Sequence, residues 1–164
     1  MVALRYIYVL ALVLWLGGMI TIGSVVAPAV FRTLEQTNTD SGAGRAQAAS
    51  VVGEVLRRFH VVSYGAGILL GASLVTMKLI GPRPVGFGAR LAIVSLMLTA
   101  SLVSGLFVDR RIADLRTAIG QPVSSLPADD PRRGAFGRLH ALSTALMGIA
   151  VAGGLLLCYW ETRE

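Results

Sequence analysis

Cysteine is nearly absent from this sequence: Cys158 stands alone among 164 residues. One thiol cannot close an intramolecular disulfide, and it excludes a zinc or iron–sulfur centre built on cysteines. Histidine is scarce too, with His60 and His140 the only two. Charged residues make up 15% of the chain against 54% hydrophobic, which excludes an ordinary soluble domain. The stretches 6–31, 59–77, 91–108 and 139–160 hold no Asp, Glu, Lys or Arg at all. P-loop, H-E-x-x-H, nucleophile-elbow and dinucleotide-binding patterns are missing. The sequence therefore names no enzyme activity and leaves the question of an enzyme open. No acidic residue inside the apolar runs offers a proton relay, which weighs against a proton-driven transporter.

What is present is four long apolar runs. Each approaches the roughly 20 residues that cross a hydrocarbon core of about 30 Å. In lipid the backbone must satisfy its own hydrogen bonds, so these runs predict helices. The expectation is a single all-α domain over 1–164, an up-and-down four-helix bundle in the membrane. Its helices fall at about 4–34, 57–80, 90–119 and 131–160, with helical extensions on the cytoplasmic side.

The net charge of +6 is not a nucleic-acid signal. Ten of the fifteen basic residues lie in 32–58 and 109–138, the loops that follow the first and third runs. Positive residues gather on the cytoplasmic side of membrane proteins, which predicts both termini outside. Tyr6, Tyr8, Tyr159 and Trp160 fit an aromatic belt on that outer side. Ala27-Pro28-Ala29 mimics a signal-cleavage site. The apolar stretch before it is longer than the usual 7–15 residues and has Arg5 as its only basic side chain, so the expectation is a retained first helix.

Local signals place the helix ends. Pro28 removes a backbone donor, which predicts a kink near Ser24. Residues 45–58 read as an amphipathic helix with Val51, Val52, Val55 and Leu56 on its apolar side, either lying on the membrane or extending helix 2. Gly81-Pro82-Arg83-Pro84 stops helix 2, and Gly120-Gln121-Pro122 stops helix 3. Asp130-Pro131 supplies an N-cap followed by proline at the first helical position, so helix 4 starts there. The Gly67-x-x-x-Gly71 pair reads as helix packing. Met19, Met77, Met97 and Met147 read as gap-filling core residues rather than a copper path.

One pattern occurs twice. Arg58-Phe59-His60-Val61-Val62-Ser63 opens the second apolar run and Arg138-Leu139-His140-Ala141-Leu142-Ser143 opens the fourth. His140 to Trp160 spans roughly 30 Å, and His60 to Lys78 roughly 27 Å, at 1.5 Å per residue. Both histidines therefore sit at the cytoplasmic rim, on helices that run in the same direction. In an up-and-down bundle these helices are diagonal partners, and their imidazoles could meet and ligate haem iron or another metal. Arg32, Arg58 and Arg138, with Arg57, Arg132 and Arg133, share that rim. Guanidinium groups suit carboxylates and phosphates, so haem propionates or a lipid phosphate would be held there equally well. Ser63, Tyr64 and Ser143 line the stripes beneath. The expected site is thus His60 and His140 as metal ligands, with Arg32, Arg58, Arg138, Tyr64, Ser63 and Ser143 binding a cofactor such as haem b, for electron transfer or cofactor handling. The alternative is a non-catalytic accessory subunit or small transport-related protein that binds lipid or another anion at an Arg/His rim. Asp109 and Glu35 face the same rim and read as partners of the local arginines.

Leu16-Gly17-Gly18-Met19, Ala27-Pro28, Phe31-Arg32-Thr33-Leu34, Phe59-His60-Val61-Val62-Ser63 and Phe136–Ser143 resemble the transmembrane protein 205 family, whose bacterial members carry a domain of unknown function, number 4149. The resemblance covers nearly the whole chain and implies a four-helix membrane protein. The expected location is the bacterial cytoplasmic membrane, with the lipid bilayer as surroundings and a homo-oligomer or a larger membrane complex as the further partners open to it. It implies no defined activity. Trp15-Leu16-Gly17-Gly18 bears a more distant likeness to copper-resistance D proteins and to the four-helix haem-binding protoporphyrinogen oxidase, but the further His and Lys positions of that enzyme are missing.

Overall fold

The computed structural model describes residues 2–81 and 84–162. Four long helices carry almost all of them: α1, Val2–Thr37; α2, Ser41–Ile80; α3, Phe87–Ile119; and α4, Pro131–Glu161. All four are long and apolar enough to cross a membrane. No strand occurs among the described residues. The bundle closes as a ring, with α1 on α2, α2 on α3, α3 on α4 and α4 back on α1. This is the up-and-down order, with α2 and α4 on the diagonal.

The breaks fall where the backbone chemistry demands them. Asp40 caps α2 by accepting a 2.8 Å bond from the Gly42 N–H, and Asp130 caps α4 by accepting one of 2.8 Å from the Arg132 N–H. Gly120 ends α3 with φ of 68°, a left-handed conformation that favours glycine. Its N–H closes the helix on the Arg116 carbonyl. Before Pro28, residues Ile22–Val26 widen into a π-helical turn, and the Ala27 N–H reaches back to the Ile22 carbonyl. Pro28 cannot donate to Ser24, and the wider turn takes up that mismatch where a kink was expected. A second π turn, Ser104–Val108 in α3, was not foreseen.

Packing is built on large side chains set against small ones. Tyr8, Leu12, Trp15, Leu70, Leu74 and Leu157 are fully buried at the centre. A Cβ on Gly67 would meet Leu98 at 2.8 Å and Trp15 at 3.1 Å, and one on Gly153 would meet Met97 at 2.7 Å. Close approach through small residues replaces the hydrophobic drive that lipid cannot supply between helices. Gly71 differs from the expectation, because open space faces it and only Gly67 of that pair is a packing glycine. Met19, Met77 and Met97 are buried core residues, as anticipated.

The amphipathic stretch 45–58 extends α2 rather than breaking from it. With the ends of α1 and α3 and the start of α4 it forms a helical crown beyond the apolar runs. Ala48, Val52, Ile119 and Leu126 are buried there, apart from the main core. Val51, expected on the apolar side, is 42% exposed. Arg116 braces the crown by donating to the Ala49 carbonyl at 3.2 Å and lying 5.3 Å from the centroid of the Phe136 ring.

Candidate functional site at the arginine-rich end

His60 lies at the start of the apolar part of α2 and turns toward α3. Its Nδ1 is 2.9 Å from the Leu56 carbonyl one turn back, and a carbonyl can only accept, so Nδ1 carries the proton. The same nitrogen is 3.4 Å from Asp109 Oδ2 on α3. Tyr64, one turn along α2, has its ring 6.1 Å from that of His60. Its hydroxyl donates to the Ser101 carbonyl at 3.5 Å, beside the π turn of α3.

Gly105 makes this approach possible. A Cβ there would overlap the Tyr64 hydroxyl and reach His60 Cγ at 2.9 Å. On the other side of α3, Ser104 Oγ and Ser143 Oγ are 3.4 Å apart. Helices 2, 3 and 4 thus meet through His60, Tyr64, Asp109, Ser104 and Ser143. Ser63 is buried, and its hydroxyl donates to its own helix at the Phe59 carbonyl, 3.1 Å away.

His140 stands elsewhere. It is exposed, and its ring stacks on Phe136 of the preceding turn at 6.2 Å with planes 4° apart. Among the described residues no hydrogen bond, ion pair or ring contact joins His60 to His140. The structure gives His60 a carboxylate on α3 as its neighbour instead. Sequence reasoning noted Asp109 but paired it with arginines. The signal was its position: Asp109 is the first charge after the 91–108 run, at the depth where α2 carries His60.

The rim arginines fall into two groups. Arg57 and Arg58 both close on Glu54, at 2.8 and 2.7 Å. Arg45 pairs with Glu35 at 2.7 Å, and Arg132 with Asp130 at 2.7 Å. Hydrogen bonds from Arg132 hold the Asp130 carboxyl below the usual carboxylate range. Arg133 donates to the Leu126 carbonyl at 3.1 Å. Arg32, Arg110, Arg111 and Arg138 are exposed, and none of them has an ion pair or hydrogen bond to another described residue. Of the arginines expected at the site, Arg32 and Arg138 are therefore open to a ligand, while Arg58 is already engaged.

The Ser104–Ser143 contact sets the antiparallel register of α3 and α4. Stepping outward on one helix matches stepping back on the other, so Arg110 is level with Gly137, Arg111 with Phe136, and Arg138 with Asp109. The three guanidinium-bearing positions span roughly 3 Å of depth at 1.5 Å per residue.

A family model described as "Domain of unknown function (DUF4149)" matches residues 10–121. The chain belongs to this family. The matched stretch contains His60, Tyr64, Gly105 and Asp109, and ends before Arg138, His140 and Ser143. No curated protein and no solved structure matches the chain.

Proposed function

We propose that this integral membrane protein is a non-catalytic membrane component that binds anionic ligands, lipid headgroups among them, at its arginine-rich cytoplasmic rim. The observation that carries the reading is the set Arg32, Arg110, Arg111 and Arg138, exposed and without a carboxylate partner among the described residues. Arginine pairs with phosphate through two parallel hydrogen bonds, and at a membrane surface each such cation attracts anionic lipid. The test is thermal unfolding in neutral and in acidic phospholipid. The melting temperature rises in acidic lipid, and the difference shrinks as salt is added. Equal melting in the two lipids counts against the reading.

A second reading is favoured by one observation. With Nδ1 held at the Leu56 carbonyl, and Asp109 Oδ2 3.4 Å from it, Nε2 is the nitrogen that a metal or haem iron would take. In the bis-histidine form, His140 would have to leave its stack on Phe136 and turn inward. The distant likeness of Trp15-Leu16-Gly17-Gly18 to copper-resistance D proteins belongs with this reading. An absorption spectrum after expression with haem supplied tests it. A Soret band that disappears in His60→Ala supports the reading, and no band in the wild type removes its haem form.

A further inference from the structure

The unpaired positive charge is not spread evenly around the rim. On α2, Glu54 engages both Arg57 and Arg58, so one carboxylate occupies two guanidinium groups and the cluster keeps a net charge of only one. On the adjacent helices α3 and α4, Arg110, Arg111 and Arg138 are exposed and lie within roughly 3 Å of one depth by the Ser104–Ser143 register, with no such partner among the described residues. The nearby carboxylates do not close them. Asp109 faces His60, and Asp114 lies about one turn further from the membrane, exposed and outside any ion pair among the described residues.

Directly on the membrane side of these arginines the surface turns apolar. Phe107 is 65% exposed, Leu106 37% and Leu142 46%. By the same register Phe107 is level with His140, two to four residues inward of the arginines, or roughly 3–6 Å. A cationic tier set on an apolar tier matches the two ends of a phospholipid, with phosphate oxygens above and acyl chains below. A free phosphate would use the upper tier alone.

We infer that the α3–α4 seam is a binding site for an acidic phospholipid, its headgroup phosphate held by Arg110, Arg111 and Arg138 and its acyl chains lying on Leu106, Phe107 and Leu142. This rests on the anion-binding reading above and narrows it to one seam and one ligand class. Attraction here needs both the charge and the fork of arginine, so lysine at the three positions retains part of the binding.

The test measures phospholipid retained by the protein after purification in a neutral detergent and exchange into mixed phosphatidylglycerol and phosphatidylcholine. The wild type retains phosphatidylglycerol in excess. R110Q/R111Q/R138Q loses most of that excess, about fivefold or more given the attraction of each surface arginine for anionic lipid. R57Q/R58Q keeps it. The three positions are exposed, and an unchanged helical circular dichroism spectrum verifies that the variant folds. If the two variants lose lipid equally, or the triple variant loses none, the seam is not the site and the proposal falls while rim binding stands. If inorganic phosphate displaces the lipid and binds alone, the site takes free phosphate and the lipid assignment falls. If the wild type shows no excess of phosphatidylglycerol and binds no phosphate, the anion-binding reading falls as well.

Discussion

Asp109 Oδ2 stands 3.4 Å from His60 Nδ1, across the seam between α2 and α3. The contact gives the single histidine of α2 a neighbour on the adjacent helix rather than on the diagonal one.

Gly105 is the residue that lets this seam close. Gly105→Ala places a methyl group on the Tyr64 hydroxyl and the His60 ring. The expected cost is about 1–3 kcal/mol, as for other overpacked sites. Tyr64→Phe removes the atom that is overlapped first, so G105A/Y64F is less destabilised than the two single costs added. Detergent-micelle unfolding followed by circular dichroism measures both. Equal stability of Gly105→Ala and wild type would sink this account of the seam.

At the opposite end Glu161 ties three helices. Its Oε1 accepts from Arg90 Nη1 at 2.6 Å and its Oε2 from Arg5 Nε at 3.2 Å. Arg90 is 1% exposed, whereas the Arg5 side chain is 45% exposed. Breaking a buried pair leaves a charge poorly compensated, so Glu161→Gln costs about 3 kcal/mol. Arg5→Ala costs less than about 1 kcal/mol, because solvent screens its contact. Unfolding titrations of the two variants side by side check the order, and a larger loss for Arg5→Ala would contradict it.

Arg116 holds the crown together through a backbone carbonyl of α2 and an aromatic ring of α4. Arg116→Ala is expected to cost about 1–2 kcal/mol, the sum of one hydrogen bond and one cation–π contact. The loss is local. Hydrogen exchange speeds up at 48–52 and 119–126 while the buried centre of the bundle stays protected. Uniform loosening of the whole chain would be the wrong outcome.

Asp130 makes the start of α4 sensitive to acid. Its carboxyl is held below the usual range, first by the Arg132 side chain and then by the Arg132 backbone N–H. A depressed folded pKa means that the contribution is present above the ordinary carboxylate value and is lost as pH falls through the folded one. Amide exchange in the first turn of α4 is therefore expected to accelerate beyond its intrinsic rate as pH drops below about 3.9. Asp130→Asn carries no such acid-dependent step. Identical pH profiles for the two proteins would show that the cap does not titrate this way.

The helices were legible because their signals are covalent or compositional. Charge-free runs gave the number of helices, Pro28 marked where α1 departs from regular geometry though as a π turn rather than the expected kink, Gly120 the end of α3, and Asp130-Pro131 the start of α4. The diagonal placement of α2 and α4 followed from the up-and-down order expected of four consecutive spans. What the sequence did not show was rotation about each helix axis. A repeated Arg-x-His-x-x-Ser pattern fixes the depth of both histidines but not the side to which each turns. The π turn at Ser104–Val108 adds a residue to one turn of α3, and no proline or glycine pair announces it. The division of the arginines into paired and open sets likewise depends on side-chain geometry that charge counting cannot see.

Photo-crosslinking tests the central claim most directly. The protein is reconstituted with a phosphatidylglycerol analogue that carries a photoreactive headgroup, irradiated, digested and mapped by mass spectrometry. Crosslinks concentrated on 106–111 and 138–142 are the predicted result. Crosslinks spread evenly around the rim, with 57–58 labelled as strongly as 110–111, would contradict it.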